Sequence, residues 1–483
     1  FTIQNGNANG SGFSSYGGGI FCYNSSPRIE DIVLRDNISS SDGGGLSFIL
    51  SNSTISNVTV ENNSAIKGGG IDFKNSELSI QNSVIYNNSS TDNGGGISMN
   101  NSTIEISNLH VYGNSSLNDG GGIYVSYSEA YIFESQIFNN ISTNGNGGGI
   151  SLFDAHGEIQ NCHIDSNIAD GWASVGGGVF LNSTSTSDLK YCLISNNHSF
   201  YGSGVGSTNS YFSMQNSTVV NNTALNSAGG LLIESFGTSI INSIIWDNFP
   251  NQISDGEDYP SNLACNYSNI EGGHQGVGIG NLDTTPHFTN PDLELYYLQE
   301  ISPCINTGSP LAIYNDEDGT INDMGCFPFG QIIYGCTDTL AINFMLQANQ
   351  DDGSCEYYIY GCTDELACNF NPLANYENNS CEYIQLAVDI VENLCPNTNF
   401  GTITVTPSNG VYPYQYFWSN GSTDSVITSL YSGTYSLTVS DDNNCQITQN
   451  IVLNEPDSLL NTITAEICYI TVDDVTGKNK IVL

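Results

Sequence analysis

The feature that most constrains this chain is a block of glycines that returns every 25 to 29 residues. Copies start at Gly17, Gly43, Gly68, Gly94, Gly120, Gly147, Gly176 and Gly202, with a degenerate copy at Ala228. After each block comes an apolar residue and another two positions on: Ile20 and Cys22, Leu46 and Phe48, Ile71 and Phe73, Ile97 and Met99, Ile123 and Val125. That alternation is a strand. Later in each repeat comes a second pattern, seen at its best in Ile80, Asn82, Ile85, Asn87 and Asn88. Its last Asn is present in every copy: Asn37, Asn63, Asn88, Asn114, Asn140, Asn167, Asn197, Asn222 and Asn248. Repeats stacked at strand spacing, about 4.8 Å per coil, place these amides one above another, each donor against the next acceptor. The glycines fit a corner where backbones approach closely and φ turns positive.

The segment Ile55-x-x-Val58-x-Val60-x-x-Asn63 also matches the strand of a leucine-rich repeat. That fold needs a helical or turn-rich return half, whereas here the return half is Gly-Gly-Gly-Ile with period-2 alternation and ample Ser and Thr. The reading is therefore an all-β chain opening with a parallel β-helix of nine coils, a rod of roughly 45 Å.

Seven Lys and Arg face forty-nine Asp and Glu, a formal net charge of −42. Such a surface repels nucleic-acid phosphates and anionic lipid, so nucleic acid is excluded as a partner. Fourteen Cys, eleven of them after residue 260 in short loop-rich stretches, point to an oxidising compartment. No apolar run is long enough to span a membrane. Phe1 opens inside a patterned segment, and the chain is expected to be a fragment trimmed at both ends.

The Gly-Gly-Gly-Ile repeats with Asn-Ser-Ser turns resemble right-handed β-helix proteins of the pectin-lyase-like superfamily, above all surface proteins of marine Bacteroidetes. The resemblance covers residues 1–330. Asn269-Ile270-Glu271-Gly272-Gly273, Ser302-Pro303-Cys304-Ile305 and the run from Asp316 to Gly325 look like that family's last coils and closing segment. A closing segment shields the unpaired backbone of the last coil. Cys304 and Cys326 are expected to be disulfide-bonded.

Residues 331–384 hold two units 26 residues apart, Gly335-Cys336-Thr337-Asp338 to Cys355 and Gly361-Cys362-Thr363-Asp364 to Cys381. Both carry Ala-x-Asn-Phe, at Ala341, Asn343, Phe344 and at Ala367, Asn369, Phe370. Units so small bury little core, which makes Cys336–Cys355 and Cys362–Cys381 the expected staples. They resemble the Gly-Cys-Thr-Asp repeats of Bacteroidetes surface proteins. Asp351-Asp352-Gly353-Ser354 is also similar to acidic calcium loops of thrombospondin type 3 repeats, which would make Asp351 and Asp352 ligands of Ca²⁺. Calcium needs several more oxygens, the second copy offers Glu377, Asn378 and Asn379 instead, and an Asx or Gly turn closing the loop is the alternative.

Residues 385–456 read as a β-sandwich, with strands at Gly401–Val405, Tyr414–Trp418 and Gly433–Val439. Tyr412-Pro413-Tyr414, Trp418-Ser419-Asn420-Gly421, Gly433-Thr434-Tyr435 and Glu455-Pro456 resemble the SprB-type repeat of gliding-bacterium adhesins. The resemblance implies an Ig-like fold bridged by Cys395 and Cys445. Residues 457–483, with Cys468, look like the start of a further domain. Pairing of Cys22, Cys162, Cys192, Cys265, Cys368 and Cys468 stays open, although Cys162 and Cys192, equivalent in adjacent coils, are expected to be buried thiols.

Chemistry is sparse. Enzymes on this scaffold use Asp-bound Ca²⁺ with a basic residue, or clustered Asp with His, Arg and Lys; neither set is visible. Arg28 and Arg35 lie at one end of the rod, Lys67, Lys74 and Lys190 are scattered, and the six histidines show no metal-binding spacing. Phe21, Tyr124 and Phe180 are candidates for an exposed sugar-binding face. The expectation is a non-catalytic adhesin or stalk, secreted or on the outer cell surface, that binds extracellular glycans or cell surfaces. By resemblance, export runs through a type IX pathway. The alternatives are a polysaccharide lyase or glycoside hydrolase with an unfamiliar site, and a passive spacer.

Overall fold

One coil explains the rod. In a strand β1 (Ile71–Lys74), Ile71 and Phe73 point inward and are fully buried. Asn75, at φ 50°, turns the chain into β2 (Glu77–Tyr86), which Asn82, at φ 48°, bends midway. Asn87, at φ 53°, makes the next corner ahead of the two-residue strand β3 (Ser89–Ser90), and Gly94, at φ 67°, returns the chain to the start of the next coil. Left-handed backbone costs most residues about 1–2 kcal/mol and costs Asn and Gly least, which is why the corners are rich in both.

The computed structural model describes residues 1–455 apart from 236, 256–262, 275, 317–318, 331–333, 339–340, 342–343, 346–347, 365–366, 378–379, 396 and 444, and beyond 455 only 469–472 and 479–482. It falls into two compact units, residues 1–332 and 333–483. In the first, equivalent strands of successive coils pair in parallel into sheets of ten, nineteen and nine strands, containing β1, β2 and β3 respectively. Register is one repeat per coil: Ile71 with Ile97, Phe73 with Met99, Ile80 with Ile106, Ile85 with Val111. A single apolar core runs from Cys22 to Ile270.

The nine asparagines form a continuous buried ladder. Each Nδ2 from Asn37 to Asn222 donates to Oδ1 of the next Asn at 2.9–3.0 Å. It also donates to a carbonyl of the preceding coil, as Asn140 does to Val111 at 2.8 Å. Each Oδ1 further takes the backbone N–H of the Asn before it. The ladder starts at Gly6 N–H and ends on Gln252 Oε1.

The glycine block belongs to the same device. A Cβ on its third member would meet the carbonyl of the next coil and the ladder amide beside it; for Gly96 these lie at 2.8 Å (Gly122 O) and 3.1 Å (Asn114). The two sequence signals are one packing constraint seen from both sides.

After the last coil, residues 288–326 turn back along the outer face of the nineteen-stranded sheet. Asn196 Nδ2 donates to Glu294 Oε1 (3.0 Å), Asn221 Nδ2 to the Tyr296 hydroxyl (2.9 Å), Asn216 Nδ2 to Asn322 Oδ1 (2.6 Å) and Cys326 N–H to Thr218 Oγ1 (3.2 Å). This strap covers outward Leu193, Val220 and Ile244, all buried.

Cys304 and Cys326, expected to be disulfide-bonded, are free buried thiols. Cys304 Sγ accepts from Asn269 Nδ2 at 3.1 Å, whereas Cys326 is held beside Thr218. Thr218, Ile244 and Asn269 are successive rungs, so the two thiols are anchored two coil spacings apart, about 10 Å. Cys162 and Cys192 are also free and buried. Cys162 donates to Gln160 O as Ser135 does to Phe133 O and Ser83 to Gln81 O one and three coils earlier, so cysteine stands in for serine there.

In the second unit Cys336 joins Cys355 and Cys362 joins Cys381. Asp338 and Asp364 each accept a tyrosine hydroxyl, from Tyr357 (2.7 Å) and Tyr383 (2.5 Å), so the two repeats share a second clasp. Asn343, Asn378 and Asn379 lie outside the described residues. Six antiparallel strands follow: β4 (Gln385–Val391), β5 (Gly401–Ser408), β6 (Gln415–Trp418), β7 (Val426–Leu430), β8 (Gly433–Ser440) and β9 (Gln446–Leu453). Sheets β4-β5-β7 and β6-β8-β9 enclose Ile403, Val405, Trp418, Ile427, Leu437, Val439 and Ile451. This is the two-sheet order of an immunoglobulin-type sandwich, and Tyr435 OH donates to Tyr431 O (2.8 Å) in the corner typical of that fold.

The expected bridge between Cys395 and Cys445 is wrong: Cys445 is bonded to Cys368. Cys395 follows β4 at the sheet end where Gly433 pairs with Leu453, while Cys445 sits in the β8–β9 turn at the other end. Eight residues of strand, about 25 Å, separate the ends. Cys395 is itself disulfide-bonded. Pro456 and Cys468 lie outside the described residues; of the expected further domain, the antiparallel pair Tyr469–Val472 and Asn479–Val482 is described.

Candidate functional site

At the corner between the ten- and nineteen-stranded sheets the repeat reads Asn-Ser-x, and its middle residue is committed to structure. The hydroxyls of Ser76, Ser102 and Ser128 each take a backbone N–H of the coil before and donate to a carbonyl two residues earlier. The flanking residues therefore face water. Asn75, Asn101, Tyr127 and Asp154 occupy the left-handed corner itself, and Asn52, Glu77, Thr103, Glu129 and His156 stack in register two positions on.

Together they line an open groove of about 580 Å³ that crosses five coils, close to 20 Å at strand spacing. Amides, carboxylates, an imidazole and a phenol line it, and no Lys or Arg does. His156 Nδ1 lies 2.8 Å from Thr186 Oγ1, and its ring meets Tyr131 edge-on. Tyr127, 56% exposed, packs edge-on against Phe153. Such a surface can exchange hydrogen bonds with hydroxyl-rich ligands and offers no Lys or Arg to neutralise an anionic one.

A second cluster brings His163, Asp165, Ser195 and Asn196 to the end of the strap. Ser195 is fully buried, contacts His163 Nε2 (3.2 Å) and donates its hydroxyl proton to Asp165 Oδ1 (2.7 Å). A hydroxyl whose proton is already held by a carboxylate, and which no solvent reaches, is not a hydrolytic nucleophile. Asn196 bridges Asp165 and Glu294, and burial followed by the charge of Asp165 pushes the Glu294 carboxyl up. The cluster pins the strap.

The other sequence candidates disperse. Arg28 pairs with Glu30, Arg35 with Gln4, Lys67 with Asp92 and Lys190 with Glu158. His110 is separate from the groove, and burial pushes its imidazole down to about 4. Phe21, Tyr124 and Phe180 share one outward row with Ser47, Asp72, Ser98 and Ser151 between them. They do not form an exposed face: Phe180 is 4% exposed, and burial with nearby Asp119 and Asp92 pushes the Tyr124 hydroxyl up to about 12. The glycine turns fold over that row, so outward there does not mean exposed. Tyr127 and Trp172, the latter 91% exposed on the longest turn, were not singled out from sequence. Tyr127 was findable as an aromatic in the phase that Asn75 and Asn101 occupy.

Asp351 and Asp352 adopt the turn that is the alternative to a calcium loop. Each carboxylate already accepts a backbone N–H two residues on, from Gly353 (3.0 Å) and Ser354 (2.9 Å). Among the described residues no three His, Cys, Asp or Glu converge as metal ligands.

The description "Right handed beta helix region" matches residues 18–189 and again 95–263, together just over half of the chain. The chain belongs to the right-handed β-helix family. No curated protein and no solved structure matches it.

Proposed function

We propose that this chain is a non-catalytic, secreted or surface-exposed rod whose corner groove binds neutral or amino-bearing glycans. The observation that carries the reading is the groove itself, a five-coil stack of hydrogen-bonding side chains edged by Tyr127 and His156 and without Lys or Arg. Uronic-acid polymers would meet Glu77, Glu129 and Asp154 with no compensating charge. The disulfides of the second unit support an oxidising, extracellular setting. On this reading the sandwich is an SprB-type adhesin repeat and the source a type IX-exporting member of the Bacteroidetes.

The test is glycan-array binding by the whole chain and by Tyr127→Ala. Loss of a neutral-glycan signal at unchanged melting temperature supports the groove; equal binding by both removes it. A hydrolase is the second reading, because Glu129 and Asp154 face the same groove and carboxylate pairs about 5–10 Å apart cleave glycosides. Release of reducing ends from a bound glycan, abolished in Glu129→Gln, would favour it. Binding to nothing, with phenotype kept after in-frame deletion of coils, would leave a spacer.

A further inference from the structure

Near its first coils the rod holds a group of charges that the binding reading does not use. Lys74 lies at the end of a strand on the outward face, and its Nζ contacts Oδ2 of Asp42, a turn residue of the preceding coil. The two side chains are only 26% and 8% exposed. Two residues before Lys74 on the same face, Asp72 is completely buried, with neither carboxyl oxygen hydrogen-bonded. Ser47, its neighbour in register, also has a buried, unpaired hydroxyl. The Tyr16 ring lies 5.2 Å from Lys74 Nζ. Burial, and after it the charge of Asp42, push the Asp72 carboxyl up to about 8, so it is a neutral acid at neutral pH.

A partly buried ion pair beside a fully buried, unpaired carboxylic acid gains little as a salt bridge, because desolvation offsets much of its attraction. As the precursor of a covalent bond it makes good sense. We propose that Lys74 Nζ and the side-chain carboxyl of Asp42 condense to an intramolecular amide, with the acid of Asp72 carrying the protons.

The step balances without a co-reactant. The ammonium passes one proton to the carboxylate it touches, giving a neutral amine and acid. Nitrogen then attacks Cγ of Asp42, Asp72 protonates the departing oxygen and takes back the surplus proton from nitrogen, and one water leaves. Contact preset by the fold supplies the effective concentration that free amine and acid lack. The bond would tie the turn of one coil to the strand of the next, in a unit whose six cysteines are all free thiols among the described residues.

The test is the intact mass of the full chain, reduced and denatured. The expected mass is one water below that of the sequence, and a protease digest should yield a branched peptide joining the segments that contain Asp42 and Lys74. Lys74→Arg, which keeps the charge, should return the full mass, and Asp72→Asn should slow linkage at least about 100-fold. Full mass in the parent chain overturns the proposal. So does a water loss that survives in Lys74→Arg, the signature of an aspartimide at Asp42-Gly43 instead. Undiminished linkage in Asp72→Asn overturns the part given to Asp72.

Discussion

The rod and the second unit solve the same problem in opposite ways. In residues 1–332 polar side chains are spent on repeating ladders, all described cysteines remain thiols, and each coil is completed by its neighbours. In residues 333–483 the described residues of the repeats bury little apolar surface, and disulfides close loops that packing alone would not hold. A solenoid distributes its stability over many equivalent contacts, while a small module concentrates it in one covalent bond. The same residue type therefore carries a different cost of loss in each.

Cys336→Ser should have the largest effect. Opening a loop of 19 residues removes about 3 kcal/mol, and calorimetry should show the transition of the second unit shifting far down while that of the rod stays in place. A rod that shifts in step would break the comparison.

Asn140→Ala comes next. It strips Asn114 of the acceptor for two N–H groups and takes one donor from the Val111 carbonyl, at about 1–3 kcal/mol for each buried group left unpaired. The rod should melt lower with unchanged glycan binding below the melt; a normal melt with lost binding would make the ladder a recognition surface.

The smallest effect is expected for Cys162→Ser, because serine already fills that position in other coils. Denaturant unfolding of the rod should change by about 1 kcal/mol or less, and a loss as large as that of Cys336→Ser would mean that the thiol does more than fill the rung.

The rod was legible in the sequence because its signals repeat. Asn88, Asn114 and Asn140 recur at coil spacing, and a residue that recurs at that spacing must stack. What a repeat does not encode is what lies over it. Alternation placed Phe180 outward correctly, yet the turn that covers it has no pattern of its own, so burial was misjudged. Cysteine pairing failed for a related reason. Cys395 and Cys445 bracket one sandwich, but which end of an eight-residue strand each occupies decides whether they can meet, and Cys368, outside the sandwich, supplied the partner. The groove escaped because Tyr127 occupies a corner position that elsewhere holds Asn, and a single departure from a repeat carries little weight in the pattern.

Each rung of the ladder passes two hydrogen bonds to the next Asn and takes two from the one before, and only its two ends, at Gly6 and Gln252, break that exchange. Length is thereby decoupled from viability. A duplicated coil ahead of those the strap covers would bring its own ladder donors and acceptors in equal number, so the ladder itself sets no limit on the number of coils. The turn ahead of the glycines tolerates insertion as well: the step from Gly147 to Gly176 is the longest, and the ladder passes from Asn167 to Asn197 undisturbed. Reach can be adjusted in whole coils, and ornament in single residues, under separate selection.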